Sequence, residues 1–428
     1  MLDNTNKTFF AVAVSLLVLN FLPSNGFGEL TSRNNQLGFA TEKLNPQNQT
    51  DNPNQPDSQF GNQTDNPNQP DSQTDNPNQP DSTLASKNTV PVDDLAKPAV
   101  VKVFSGCEAS VPFNGKTYEV SAKGQGSGFF VTSDGYIITN AHVVKESANP
   151  EICEQSQILT QQLISQIAED LELSPSEIRN NPEQMQEIES SLENARIQPI
   201  NEVILPNGDQ LTFDVKEYGA PIGEGKDVAV IKVQIKNAPV LKLANSEQVK
   251  TQDKIIALGY PYLALGDLLD EKSEVEVTVS RGEISSTNKP LRDGSTALQF
   301  NAGVTHGNSG GPVLNEQGEV IGITTFGPSN FDGIAFAVTS ETIMEFVRSA
   351  GITNEQGIVD QLYQEALQHY TQGEYSQAIE KFERVERFFP QHSEISQYLQ
   401  KAEEQIVLAN SGMNLNIPDA IYPHSIWV

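Results

Sequence analysis

From residue 100 to residue 340 the chain is a succession of short apolar-alternating segments, each closed by Gly, Asn, Asp or Pro, and this punctuation limits the fold more than any other feature. VVKVFSG (100–106) is a β-branched strand. GSGFFVTSDGYIITNAHVV (126–144) reads as two strands joined at Asp134-Gly135, and EVILPNGDQLTFDVKEYG (202–219) as a hairpin around Asn207-Gly208. KDVAVIKVQI, DKIIALGYP, VEVTVSRGEIS, TALQFN, GEVIGITTF and GIAFAVTS follow at short spacing. The pattern predicts a mainly β domain, a barrel or a sandwich, over 91–350.

Residues 147–200 interrupt it. LTQQLISQIAEDLEL and SPSEIRNNPEQMQEIESSLENA carry apolar residues three and four apart, with Ser174 and Pro175 opening the second helix. We expect a helical insertion that decorates a loop in solvent; a lid or docking arm is its functional alternative. Ahead of the β region, FFAVAVSLLVLNFL (9–22) follows Lys7 and is short for a membrane span of about 20 residues. It reads as the core of a signal peptide, 1–28, cut after Gly28, with an uncleaved membrane anchor as the alternative. Residues 29–90 repeat TDNPNQPDS at 50–58, 64–72 and 74–82. Frequent prolines and scarce apolar residues leave nothing to offset the ordering entropy, so this stretch is expected to be a disordered tether. The chain is thus expected to be exported, periplasmic or extracellular. Acids outnumber bases 56 to 27, which argues against a nucleic-acid partner.

GVTHGNSGGPVLN (303–315) sets Ser309 among glycines. A serine hydroxyl attacks well at neutral pH only if a base takes its proton, a carboxylate orients that base, and N–H donors receive the oxyanion. His369, His392 and His424 lie beyond the β region, which leaves His142 and His306. His306 is three residues from Ser309 on the same tight loop, where its ring would point away. His142, at the end of a hairpin, is therefore the expected base. Asp227 opens the apolar strand DVAVIKV and is the expected acid; Asp209 and Asp214 stand in polar surroundings.

TNAHVV, DVAVIKV and GNSGGPV, in the order His, Asp, Ser, resemble the chymotrypsin-fold serine proteases, and with GSGFFVTSDGYIITNAHVV and GIAFAV the likeness is to the HtrA/Deg branch. The resemblance covers roughly residues 95–350. It implies a double β-barrel with the site in the cleft, an acyl-enzyme mechanism with neither metal nor organic cofactor, and an oxyanion hole from the N–H groups of Gly307 and Ser309. It also implies that Thr325, Phe326 and Gly327 pair the substrate backbone, that Gly303 forms the floor of the specificity pocket, and that Gly333 and Ala335 belong to its wall. Asn308 stands where digestive members carry an aspartate, so activation by a newly cut N-terminus is not expected. His306 stands where HtrA relatives usually have proline.

Beyond residue 350 no PDZ-like pattern appears. QLYQEALQHYTQGEYSQAIEKFERVERFFP (361–390) puts Leu362, Ala366, Gly373, Tyr375, Ala378, Phe382 and Pro390 in the register of a tetratricopeptide repeat, and SEISQYLQKAEEQIV follows as a capping helix. A small all-α region, 357–406, is expected, docked on the protease or binding a protein partner, with a tail at 407–428. Oligomerisation is left open. Cys107 and Cys153 are the chain's two cysteines, and in an exported protein an even pair predicts a disulfide, here tying the insertion to the first barrel. The function expected is that of an exported serine endopeptidase acting on unfolded or extended polypeptides. The alternative is a catalytically silent scaffold. An esterase of the GxSxG type is disfavoured by the order of the three blocks.

A neutral floor at Gly303 cannot offset the several kcal/mol of desolvation a buried cationic side chain would cost, so small or medium apolar residues are expected before the cut. Mass-spectrometric mapping of cut sites in a denatured protein should show a graded preference for Val, Ile, Ala or Leu; a majority of cuts after Lys or Arg would refute it.

Overall fold

The computed structural model describes residues 90–154, 157–262, 275–327 and 333–411; the expected signal peptide, nearly all of the tether and most of the tail lie outside the described residues. The β strands are β1 (Val100–Phe113), β2 (Lys116–Phe130), β3 (Tyr136–Thr139), β4 (Arg196–Ile204), β5 (Gln210–Tyr218), β6 (Ala229–Val233), β7 (Lys254–Gly259), β8 (Thr278–Pro290), β9 (Thr296–Phe300), β10 (Pro312–Leu314), β11 (Val320–Phe326) and β12 (Ala335–Thr339). They close into two barrels, in the orders β1-β2-β3-β6-β5-β4 and β7-β8-β9-β12-β11-β10, so the second repeats the path of the first. β10 is the strand that the sequence pattern does not announce. Its three residues, PVL, follow the glycine-rich loop directly.

Period-two alternation fills both barrels and the seam between them. Val103, Phe130, Ile137, Phe213, Ile231 and Val233 pack in the first barrel. Ile255, Leu298, Phe300, Val313 and Ile321 pack in the second. The neighbouring residues Val100, Phe129, Ile138, Val228 and Val230 turn to the opposite face and join Leu258, Tyr260, Leu314, Ile323 and Val338. Each such apolar side chain contributes about 1.5–3 kcal/mol on burial, so strands buried on both faces hold the barrels against each other.

Several sequence expectations need correction around the insertion. β1 does not stop at Gly106 but runs on to Phe113, pairing with β2 through Val111↔Tyr118 and Phe113↔Lys116. Gly106 reads as a terminator, yet it is there for close approach: a Cβ on it would lie 2.0 Å from the Ala122 carbonyl oxygen. The hairpin closes at Asn114 (φ 50°) and Gly115 (φ 77°), the left-handed pair of a tight two-residue turn. The helices are α1 (Val92–Ala96), α2 (Lys145–Ala148), α3 (Glu151–Glu154), α4 (Gln157–Asp170), α5 (Pro175–Arg179), α6 (Pro182–Glu193), α7 (Ser340–Ser349), α8 (Ile358–Thr371), α9 (Tyr375–Phe388) and α10 (Ile395–Asn410). The segment from Ser174 is thus two helices, not one, because Pro182 has no N–H and disfavours helical backbone at Asn181, which caps α6 instead. The helical part ends at Glu193, and Arg196–Ile204 already belongs to the barrel.

The insertion is also no solvated decoration. Leu159, Leu163, Ile167, Ile178 and Ile188 pack on Ala109, Val111, Tyr118 and Val120 of the extended hairpin, making a separate apolar core. A Cys107–Cys153 disulfide, Cα atoms 5.6 Å apart, fastens α3 to β1 at the edge of that core.

Helices α8 and α9 pack through Leu362, Ala366, Ala378, Phe382 and Val385, and the same apolar cluster continues into the first barrel at Phe213, Val233 and Ala238. Polar contacts bolt this unit to the segment that leads from β6 to β7. Asn354 Nδ2 donates to the Val131 and Leu241 carbonyls (both 2.9 Å), and the Val240 N–H donates to Asp360 (2.8 Å). Tyr398 Oη donates to Asp94 on α1 (2.7 Å).

Among the titratable groups of this junction, His392 is buried and Asp360 is half-buried. Burial holds the His392 imidazole neutral by pushing its pKa from 6.5 down to about 3. Burial also pushes Asp360 from 3.8 up to about 6, although the Val240 and Gly357 N–H groups donate to it. Their linkages oppose each other. His392 contributes stability that is present above 6.5 and is lost as pH falls toward 3. Asp360 contributes stability that is present below 3.8 and is lost as pH rises through 6. Relative to wild type, His392→Phe should therefore gain melting temperature as pH is lowered from about 7 to 4, at up to about 1.4 kcal/mol per pH unit, and Asp360→Asn should gain as pH is raised over the same range. Thermal melts across that range check both signs.

Candidate active site

His142 opens a 3-10 turn, His142–Val144, directly after β3. Val143 and Val144 are buried in the first barrel and leave the imidazole 36% exposed at its rim. The Asp227 carboxylate is fully buried. It accepts from the His142 backbone N–H at Oδ1 (2.9 Å), from His142 Nδ1 at Oδ2 (2.8 Å) and from Thr325 Oγ1 at Oδ2 (2.5 Å). Asn140 Nδ2 donates to the Asp227 carbonyl (2.7 Å), so the backbone of the acid is held as well. A carboxylate at Nδ1 places the ring proton there and leaves Nε2 as the acceptor. Asp209 and Asp214 are on the surface, and His306 is exposed. Next to the acid, burial and then the charges of Asp227, Glu224 and Glu146 raise the Tyr218 hydroxyl pKa, so it stays protonated at neutral pH.

Ser309 comes from the second barrel, on the loop before β10. The N–H groups along this loop can be accounted for individually. Asn308 N–H donates to Thr305, Gly310 N–H to Thr324 and Gly311 N–H to Asn308, whereas among the described residues those of Gly307 and Ser309 donate to none. The His306 carbonyl is taken by the Tyr262 N–H (2.6 Å). Gly307 has φ +92°, and a Cβ there would lie 2.4 Å from the Tyr260 carbonyl oxygen, so no other residue fits. Ser309 Oγ donates to the Thr325 carbonyl (3.2 Å); among the described residues no hydrogen bond joins it to His142.

The remaining sequence-predicted residues are placed unevenly. Gly303 is exposed with open space where a Cβ would be, and Gly327 and Gly333 are exposed. Ala335 is 1% exposed in the core of the second barrel with Phe300, so its side chain offers no pocket wall. Thr325 is buried and gives its hydroxyl to Asp227, a role that reading it only as a substrate-pairing strand misses. The hydroxyl in GITTFG was the visible signal. Phe326 lies in β11, and its side chain is outside the described residues. Among the described residues no cluster of three or more His, Cys, Asp or Glu could hold a metal, and no helix is long and apolar enough to cross a membrane.

A His–Asp pair on one six-stranded barrel, with a serine loop on a second barrel of the same strand order whose Gly307 and Ser309 N–H groups have no acceptor among the described residues, is the arrangement of a trypsin-fold serine protease domain. Residues 126–323 match the family described as the trypsin-like peptidase domain. Similar curated proteins include the mitochondrial serine protease HTRA2 of Bos taurus (26% identity, covering 60% of this chain and 42% of that protein). A probable periplasmic DegP-like serine endoprotease of Rhizobium meliloti is 30% identical, covering 53% and 33%, and the putative serine protease HhoB of Synechocystis is 28% identical, covering 51% and 38%. The chain thus spans less than half the length of these relatives. Among solved structures, the HtrA-type protease AlgW with a decapeptide matches at 22% identity and a TM-score of 0.40, covering 60% of this chain and 66% of that one. The two-barrel domain is an HtrA-like trypsin-fold serine protease domain.

The buried Asp227 carboxylate depends on its donors. Thr325→Val removes one without changing side-chain shape, and should lower the unfolding free energy by about 1.5–3 kcal/mol in denaturant titration, the range for hydrogen bonds to charged groups.

Proposed function

We propose that the chain is a serine endopeptidase that cleaves unfolded or extended polypeptides through an acyl-enzyme. The observation that carries this reading is the bond of 2.8 Å from His142 to the buried Asp227 carboxylate, opposite a serine loop whose Gly307 and Ser309 N–H groups have no acceptor among the described residues. Ser309 Oγ attacks the carbonyl carbon and passes its proton to His142 Nε2, while Asp227 stabilises the imidazolium. The N–H groups of Gly307 and Ser309 receive the oxyanion. His142 returns the proton to the leaving nitrogen, and water, deprotonated by the same base, releases the acyl group. Extended substrates suit β11, next to Thr325–Gly327, and the neutral Gly303 floor suits apolar side chains.

The names of DegP-like relatives as periplasmic enzymes, with the apolar run at 9–22, support export. The register of 357–406 supports a tetratricopeptide-like unit, and its packing against the first barrel favours a stabilising cap over a free peptide-binding arm. A silent scaffold would be favoured by the bond from Ser309 Oγ to the Thr325 carbonyl. A neutral hydrogen bond of this kind is worth about 1 kcal/mol, a small cost for rotation toward His142 on substrate binding.

Ser309→Ala and His142→Ala should each lose roughly 10⁴- to 10⁶-fold in kcat on a reduced, denatured protein, with melting temperatures near wild type. His306→Ala should lose far less. Near-wild-type cleavage by Ser309→Ala, or no fluorophosphonate adduct on Ser309 in the folded protein, would overturn the proposal in favour of the scaffold.

A further inference from the structure

The proposed base and acid belong to the first barrel and the nucleophile to the second, so the site exists only if something fixes the serine loop on the opposite barrel. Ser127, on β2 of the first barrel, does this with both backbone and side chain. Its N–H donates to the Ser309 carbonyl (2.7 Å), and its Oγ donates to the Gly307 carbonyl (2.7 Å). The same Oγ accepts from the Tyr260 N–H (2.9 Å), which sets its direction, and the Ser127 carbonyl accepts from Thr139 Oγ1 (2.7 Å), which anchors it to its own barrel. The side chain is fully buried.

The carbonyls it holds are those of the two residues whose N–H groups have no acceptor among the described residues. Gly307 has the left-handed φ of +92° and no side chain to restrain it, so its flanking peptides are the pieces of this loop freest to rotate. The peptide before Gly307 is held by Tyr262 N–H on His306, and the peptide after it by Ser127 Oγ. A serine hydroxyl fits because it donates to one carbonyl and accepts one N–H, both on the second barrel, from a single atom.

We propose that Ser127 is a positioning residue that clamps, across the barrel seam, the peptides on either side of the Asn308–Ser309 peptide, and so aims the Ser309 N–H at the oxyanion of the substrate, beside the Gly307 N–H whose peptide Tyr262 holds; this rests on the protease reading above. Ser127 touches no substrate. Its effect should appear where charge develops on the carbonyl oxygen and not in ground-state binding.

The test compares Ser127→Ala with wild type on a short chromogenic peptide, together with binding of a peptide aldehyde, which forms a tetrahedral adduct on Ser309, and of the corresponding product peptide. Loss of aim should lower kcat about 10- to 100-fold and weaken the aldehyde by a similar factor, with KM and product affinity within about 3-fold. Ser127→Cys, nearly isosteric but a weaker donor, should show the same split at smaller size, and it carries the test if the alanine variant does not fold. Wild-type kcat and aldehyde affinity in these variants while Ser309→Ala is inactive would overturn this inference alone. Equal losses in product and aldehyde binding would overturn it too, since Ser127 would then shape only the ground-state pocket. An active Ser309→Ala would instead overturn the protease reading.

Discussion

A carboxylate with no exposure to water is the group that the two barrels are arranged around. Left unpaired, the charge of Asp227 would cost several kcal/mol, and it is satisfied only by donors that arrive from separate parts of the chain. His142 brings a backbone N–H and an imidazole N–H from the end of β3, and Thr325 brings a hydroxyl from β11 of the other barrel. Satisfying Asp227 therefore brings the second barrel up to the first. Ser127 closes the same seam through the Gly307 and Ser309 carbonyls. The oriented imidazole and the placing of the serine loop both follow from these few cross-barrel bonds.

The helical parts extend this scheme without adding candidate catalytic groups. The insertion between β3 and β4 shares a core with the overhanging β1–β2 hairpin, and the Cys107–Cys153 bridge fixes its root a short distance beyond His142 in the chain. The C-terminal helices grip the crossover from β6 to β7 through Asn354 and Asp360. Both attachments stiffen segments that set how the barrels meet. The buried His392 and the half-buried Asp360 make the second attachment the pH-responsive one.

Much of this is legible in the sequence for local reasons. Strand alternation with turn pairs such as Asn207-Gly208 reports β structure because side chains flip sides at every residue. The order of TNAHVV, DVAVIKV and GNSGGPV brings out His142, Asp227 and Ser309 because few chain positions offer a histidine or an acid in an ordered apolar setting. The misreadings share a cause. Local propensity makes Gly106 a strand end, whereas a neighbouring strand decides it, and Pro182 permits a helix start where it forbids a continuation. Likeness alone points Ala335 at a pocket wall, while pairing with Phe300 turns its side chain into the barrel core.

The sequence by itself determined the periodicity, the turns, the helical segments and the residue types capable of acyl transfer, since these depend on neighbours a few positions away. Only the tertiary structure decided that Thr325 serves Asp227, that Ser127 holds the serine loop, and that the insertion owns a core with the β1–β2 hairpin. Those pairings join residues separated by 98 and 180 positions in the chain, where no local pattern constrains the partner. What selects them is the cost of leaving a polar group or an apolar face buried and unmatched once the two barrels have closed.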